Sequence, residues 1–461
     1  MKFTFKKFGY IEEGSVELAD LTLICGSNNV GKTYVSYAIY GFFKKFYELV
    51  DLSIDTEQLE RLYDTGLIKI DLAELAQQDH IYFEKSSKLF TEELSSFFSA
   101  SDDFFKNSLV IAESENIPFN SSASIDSQIT MGTSPILIFS KEKNSSILNI
   151  AASITNVPQG FLTKEKFIVL FNRVISNIIK KILYIDSFYE PFAITSERTG
   201  IALFYKELDS NKYDVLAKMD LIDKSQTDKL LNQLRESTAR YAEPIQDNID
   251  IIRDYDQYSK RKSFLLEDKV QYAPVFEALQ SMTTGGFRSS SGQVFYRPKK
   301  ERNKDEVLVP VYLASSSIKS LFLIDYYINN LAKKGQLLVI DEPELNLHPD
   351  NQRKMAALIV RLINSGIKIL ITTHSEYLVR EINNRIMLSN DFKNKAELMK
   401  KSGFVDMDIL KPEQVAAYSL KTDHTIQSME INRYGINSQI FDEIIADSNQ
   451  LSDDIYYSIK D

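Results

Sequence analysis

Gly26-Ser27-Asn28-Asn29-Val30-Gly31-Lys32-Thr33 decides the reading of this chain. The stretch fits G-x-x-x-x-G-K-[ST], a pattern that carries meaning between a strand and a helix. Both flanks comply. Leu21–Cys25 is a short apolar run of strand type, and residues 34–50 place aromatic and aliphatic side chains at helical spacing. Glycines let the backbone curl, so that N–H groups converge on phosphate oxygens. The helix N-terminus adds partial positive charge. In this geometry Gly26, Ser27, Asn28, Asn29, Val30 and Gly31 wrap phosphates, Lys32 reaches the β- and γ-phosphates, and Thr33 ligates Mg²⁺.

Three later segments extend that reading. Leu337-Leu338-Val339-Ile340-Asp341-Glu342-Pro343-Glu344 is an apolar strand ending in carboxylates. Acids at the end of a buried strand are costly unless they face a cation or water. Asp341 is expected in the Mg²⁺ shell, and Glu342 is expected to polarise an attacking water. Glu344 is left open between a site acid and a solvated loop acid. Thr372-Thr373-His374-Ser375 ends the next strand, so the His374 tip can reach the same phosphate. His348, before a helix, reads as structural or interfacial. Ala314-Ser315-Ser316-Ser317-Ile318-Lys319-Ser320 precedes an amphipathic helix, and Ser315, Ser316 and Ser317 are read either as caps or as an anion site gripping a γ-phosphate.

The strand-helix-strand-helix series 337–340, 350–364, 368–372, 376–385 follows βαβ logic and predicts a parallel sheet. Lys2–Phe8 alternates charged and apolar residues as a strand does, and Glu13-Gly14 is the expected turn. Residues 51 to 275 read as mostly helical. The Ser-rich segment 120–134 reads as a surface loop, 167–183 as an amphipathic helix, and about 203–266 as a helical hairpin projecting from the core. Strand character returns at 285–312.

The chain has 461 residues, of which 44% are hydrophobic and 26% charged, as in ordinary globular proteins. One cysteine excludes a disulfide framework or a cysteine zinc site. A net charge of −10 argues against a generally basic nucleic-acid binder. Among Lys299, Lys300, Arg302 and Lys304, the interleaved acids favour a solvated hairpin tip. No apolar run reaches the about 18 residues of a membrane span, and the N-terminus lacks a signal-peptide core. The expected location is the cytosol, with no membrane partner.

The four motifs, in this order, resemble the ATPase heads of the ABC superfamily, in its SMC/RecF/Rad50-like branch. In that resemblance Gly26–Thr33 is Walker A, Asp341-Glu342 is Walker B, Thr373–Ser375 is the switch-histidine region, Ala314–Ser317 stands in the signature position and Asn346–Asp350 in the D-loop position. Lys32 and Asp341 stand 309 positions apart, and a long insertion there is similar to SMC-like heads. The string Ile340–Pro349 (IDEPELNLHP), with Thr195–Gly200 (TSERTG), resembles the OLD-like ATPases of bacterial antiphage defence, such as the Septu, retron-associated and PARIS-type ATPases. The signature position lacks L-S-G-G glycines, so a contact in trans falls to serine hydroxyls and helix-end N–H groups. No Q-loop glutamine is assigned. The resemblance is not expected to extend to a D-x-D-bearing TOPRIM nuclease after residue 390, and no H-N-H pattern is evident.

The resemblance implies an α/β fold, a split ABC-type P-loop head with a helical insertion between Walker A and Walker B. Residues 1–50 and 276–390 build the head, 51–275 a helical lobe with the hairpin, and 391–461 an α/β segment able to dock a partner. It implies ATP and Mg²⁺ as cofactors, Glu342 and His374 as catalytic residues, a homodimer or higher homo-oligomer through the heads, and control of a separately encoded effector, most plausibly a nuclease. A RecF- or Rad50-like DNA-repair ATPase that binds DNA is the alternative. A scaffold that binds ATP without hydrolysing it is a third reading. Cys25 is expected to be a buried strand residue. Ile440, Phe441, Ile444, Ile445, Ile455 and Tyr456 are read either as a docking face or as packing onto the chain's own core.

Overall fold

The computed structural model describes residues 1–459 apart from 51, 53, 115–120, 123, 132–133, 154–162, 185–188, 205–240, 291–292, 300–306 and 438; at 131, 134 and 439–448 the backbone alone is described. The chain forms two compact units, Met1–Thr4 with Phe42–Glu93 and Leu109–Tyr189, and Phe5–Gly41 with Leu94–Ser108 and Glu190–Asp461.

The second unit carries, within a mixed sheet, the block of parallel strands that the βαβ pattern predicts. Seven consecutive strands of the sheet lie in the order Ile11–Glu17, Thr425–Ser428, Val415–Leu420, Leu21–Gly26, Lys368–Thr373, Leu337–Asp341, Pro191–Ile194. Every pair from Val415–Leu420 to Pro191–Ile194 is parallel. The register aligns Cys25 with Thr373 and Thr372 with Asp341. The carboxyl ends of the P-loop strand (Leu21–Gly26), the histidine strand (Lys368–Thr373) and the acid strand (Leu337–Asp341) therefore meet at one edge, where open parallel sheets place ligands. Both the P-loop and acid strands are buried throughout, which explains their unbroken apolar sequences. Cys25 is fully buried as expected, and burial pushes its thiol up to about 12.

Helices Pro349–Asn364 and Glu376–Met387 follow the acid and histidine strands and bury Leu358, Ile359, Leu362, Leu378, Ile382 and Ile386. The helix Ser316–Tyr326 buries Leu321 to Ile324 in the same core. A small antiparallel sheet joins Gly285–Ser290, Gln293–Pro298 and Val309–Pro310.

Several expectations are corrected. The first turn lies at Gly9-Tyr10, and Gly14 sits inside the strand Ile11–Glu17, where Ile426 leaves no room for a Cβ. The insertion is not helical throughout. The first unit contains an antiparallel four-stranded sheet, Leu67–Asp71, Ile147–Ala152, Ser134–Lys141 and Ile125–Met131 in spatial order. The Ser-rich segment read as a loop thus contributes a strand. The helix Lys164–Tyr184 holds as read, burying Phe167, Phe171, Ile175, Ile179 and Leu183 on one stripe. Of the expected hairpin, 205–240 lies outside the described residues. Its remaining part does not project: helices Glu243–Arg253 and Phe264–Glu267 bury Ile249, Ile252 and Leu265 in the core of the second unit.

Lys300, Arg302 and Lys304 fall outside the described residues, as do the side chains of Ile440, Phe441, Ile444 and Ile445. In the last helix, Gln439–Ile459, Ile455 and Tyr456 are exposed. No helix among the described residues is long and apolar enough to cross a membrane.

Candidate nucleotide site

The loop after the P-loop strand leads straight into the helix Lys32–Leu49, whose first-turn N–H groups lack intrahelical partners and face the loop. Gly31 takes φ +101°, and a Cβ there would meet Ile11 at 2.8 Å. Ser27, Asn28 and Asn29 are exposed around the loop, and Val30 anchors it from inside. The Lys32 ammonium donates to the carbonyls of Gly26, 3.1 Å, and Ser27, 2.8 Å, so the cation is folded over the cradle instead of reaching into solvent.

Across the edge, the Thr33 hydroxyl donates to both Asp341 carboxylate oxygens, at 3.2 and 3.0 Å. Thr372, opposite Asp341 in the sheet, donates to the same carboxylate. Asp341 is fully buried, and that burial raises its pKa against the opposing hydroxyl donors. A hydroxyl beside a buried carboxylate is an oxygen-only donor set, suited to a hard divalent cation completed by phosphate and water. No cluster of three or more His, Cys, Asp or Glu residues able to hold a metal occurs among the described residues.

Glu342 follows with φ +48°, a left-handed conformation uncommon outside glycine, asparagine and aspartate. Its carboxylate lies 3.5 Å from His374 Nδ1. The imidazole holds the Glu342 carboxyl below its usual range, and Glu342 in turn raises His374. Glu344, left open by sequence, is a buried site acid. One oxygen accepts from the Thr373 hydroxyl, 2.7 Å, and the His374 N–H, 2.9 Å, and lies 3.5 Å from His374 Nδ1. Its other oxygen is buried without a hydrogen-bond partner. His374 therefore stands between two carboxylates, its backbone pinned by one of them.

The serine segment is a helix cap. Ser315 accepts from the Ile318 N–H at 3.3 Å, while Ser316 is exposed and Ser317 half-buried. His348 caps the helix Pro349–Asn364 through Nδ1, which accepts from the Asp350 N–H. Asn346, at φ +61°, donates to Thr199 at 3.0 Å.

The motif reading missed the use of the turn at 195–199. Arg198 is fully buried and donates to the carbonyls of Thr195, Asp341 and Glu342 and to the Ser320 hydroxyl. Glu197 accepts from Tyr37, on the P-loop helix, at 3.3 Å. A polar T-S-E-R-T-G string bears no periodicity that could have announced this. The available signal was an arginine four positions past the end of a short apolar strand.

The sequence profile of the AAA ATPase domain family matches residues 1–379. The chain belongs to the AAA ATPase domain family. It is thus a P-loop ATPase by family, with the α/β fold that the motif order predicts. Over 112 residues it is 27% identical to a putative ABC transporter ATP-binding protein of Caldanaerobacter subterraneus subsp. tengcongensis; that match spans 22% of this chain and 18% of the relative's length. Among solved structures, the Smc head domain of Pyrococcus furiosus, with an extended coiled coil and bound to the C-terminal domain of ScpA, is 11% identical at a TM-score of 0.30, covering 96% of this chain and 98% of that one. The SMC head domain from Thermotoga maritima is 11% identical at 0.29, with 93% and 98% covered.

Proposed function

We propose that the chain is a Mg²⁺-dependent ATPase of the ABC/SMC-like type that works as a conformational switch between two copies of itself. The observation that carries this reading is the meeting of Thr33 and Asp341, far apart in sequence, beside Lys32, Glu342 and His374 at one sheet edge. Lys32 swings from the loop carbonyls to the β- and γ-phosphates. Thr33 and Asp341 hold Mg²⁺, which when bound shields phosphate charge and orients the phosphates. Glu342 orients the attacking water and takes its proton. His374, kept beside Glu342 and Glu344, donates toward the γ-phosphate. Ser27, Asn28, Asn29 and the loop N–H groups wrap the nucleotide.

Ser316 and Ser317 act in trans in this reading, closing the site of a second copy across a head-to-head dimer. The exposure of Ser316 beside a helix N-terminus supports it. Hydrolysis would open the sandwich and reset the switch. The setting is bacterial antiphage defence in the cytosol, with a separately encoded effector, a nuclease, under its control; support for it is the likeness of Ile340–Pro349 and Thr195–Gly200 to the OLD-like group.

Mixing subunits tests the switch. Lys32→Ala and Ser316→Arg chains, each inactive alone, form a heterodimer in which one site keeps both intact halves. Recovered phosphate release in the mixture is the expected result. Silence from heterodimers confirmed by mass would refute the sandwich.

A further inference from the structure

The 195–199 turn touches four parts of the site at once. Glu197 binds the P-loop helix through Tyr37, Thr199 binds Asn346 in the loop after the acids, and Arg198 spans the acid strand and the helix Ser316–Tyr326. Arg198 is the central member. Its Nη1 donates to Asp341 O at 2.8 Å and its Nη2 to Glu342 O at 2.6 Å, while Nε donates to Ser320 Oγ at 3.0 Å. Ser320 Oγ then donates to Leu345 O at 2.9 Å. A guanidinium that is fully buried must be repaid by well-placed acceptors, and its planar fork fixes their relative positions. Burial lowers its pKa, while Asp341, Glu344 and Glu342 favour the charged form.

We infer that Arg198 is a positioning residue that couples the serine-led helix to Glu342, making the angle of the water-orienting carboxylate depend on where that helix sits. The geometry supplies each link. Ser315, Ser316 and Ser317 open the helix, and Ser320 lies one turn further along. Any tilt of the helix moves Ser320 and, through the guanidinium fork, the Glu342 carbonyl. Glu342 already occupies φ +48°, a conformation that persists only where its surroundings hold it. Engagement of the serine end by a second copy is thereby read out at the acid without any contact between that copy and Glu342. The inference rests on the hydrolysis reading proposed above.

The test uses the full chain with two readouts, steady-state phosphate release and binding of a fluorescent ATP analogue. Arg198→Lys keeps the charge but loses the fork. It should bind the analogue within about threefold of wild type while kcat falls about 100-fold, the scale of an ångström of misplacement. Ser320→Ala should lower kcat by less, again at unchanged binding. The double variant should turn over no slower than Arg198→Lys, because both changes cut one chain of contacts.

Wild-type kcat in Arg198→Lys, multiplying losses in the double variant, or binding that falls in step with kcat would each overturn the coupling. If Arg198→Lys does not fold, Ser320→Ala decides: lowered kcat at full binding supports the coupling and unchanged kcat overturns it. Wild-type release no faster than that of Lys32→Ala overturns the hydrolysis reading and this inference together. Active wild type with an unaffected Arg198→Lys overturns the coupling alone.

Discussion

In the P-loop and acid strands every residue is buried, whereas Leu67–Asp71, in the other unit, alternates exposed and buried positions. The first pair lies inside a parallel sheet, the second in a small antiparallel one. The contrast is chemical as well as architectural. A strand dry on both faces can end in acids such as Asp341 only where hydroxyls, cations or water meet them, so its end is a natural site. An alternating strand keeps one face wet along its length and has no comparable edge where charge must be answered.

The largest effect expected is at the lysine. Lys32→Ala should weaken ATP binding on the order of 100-fold or more, since charge-assisted bonds to phosphate contribute about 1.5–3 kcal/mol each. A nucleotide titration measures it. Equal affinity would place the parallel-sheet edge on the same inert footing as the antiparallel sheet. Glu342→Gln preserves shape and should leave binding intact while phosphate release falls about 10²–10⁴-fold. Full-rate hydrolysis in that variant would remove Glu342 from the chemistry.

The two kinds of strand can be compared directly by truncation. Leu338→Ala empties a fully enclosed position and should cost about 2–5 kcal/mol, whereas Leu67→Ala, half exposed, should stay within about 0.5 kcal/mol. Denaturant melts of both variants decide it, and similar losses would dissolve the distinction.

The smallest effect concerns protonation. Glu342 raises His374 above its ordinary 6.5. The pair's contribution to stability is therefore fully present below pH 6.5 and is lost as pH rises through the folded-state value. At the acid end, Glu342 is lowered from 4.5, so its contribution fades as pH falls through its own folded-state value. An imidazole NMR titration should show His374 falling back toward 6.5 in Glu342→Gln; an unmoved midpoint would mean that Glu344 alone sets it.

Legibility followed the same division. Unbroken apolar runs, a glycine-lysine-threonine loop and paired acids are local signals, and each survived into the fold at its expected place. Leu67–Asp71 and Ile125–Met131 were missed because short, half-wet strands resemble helix turns or polar loops in composition. The residues 241–266 were misjudged for a related reason: charge on one helix face hid the burial of Ile249, Ile252 and Leu265 on the other.

By itself, the sequence determined the nucleotide loop, the acid strand, the histidine after it and the parallel order that joins them, because each depends on the chemistry of adjacent residues. Tertiary structure alone decided that Glu344 is buried against His374 and that Arg198 clamps Asp341 and Glu342 to Ser320. Those roles depend on which carbonyl or hydroxyl comes to rest beside a side chain. Between residues 30 to 144 positions apart, only the packed sheet and its helices set that.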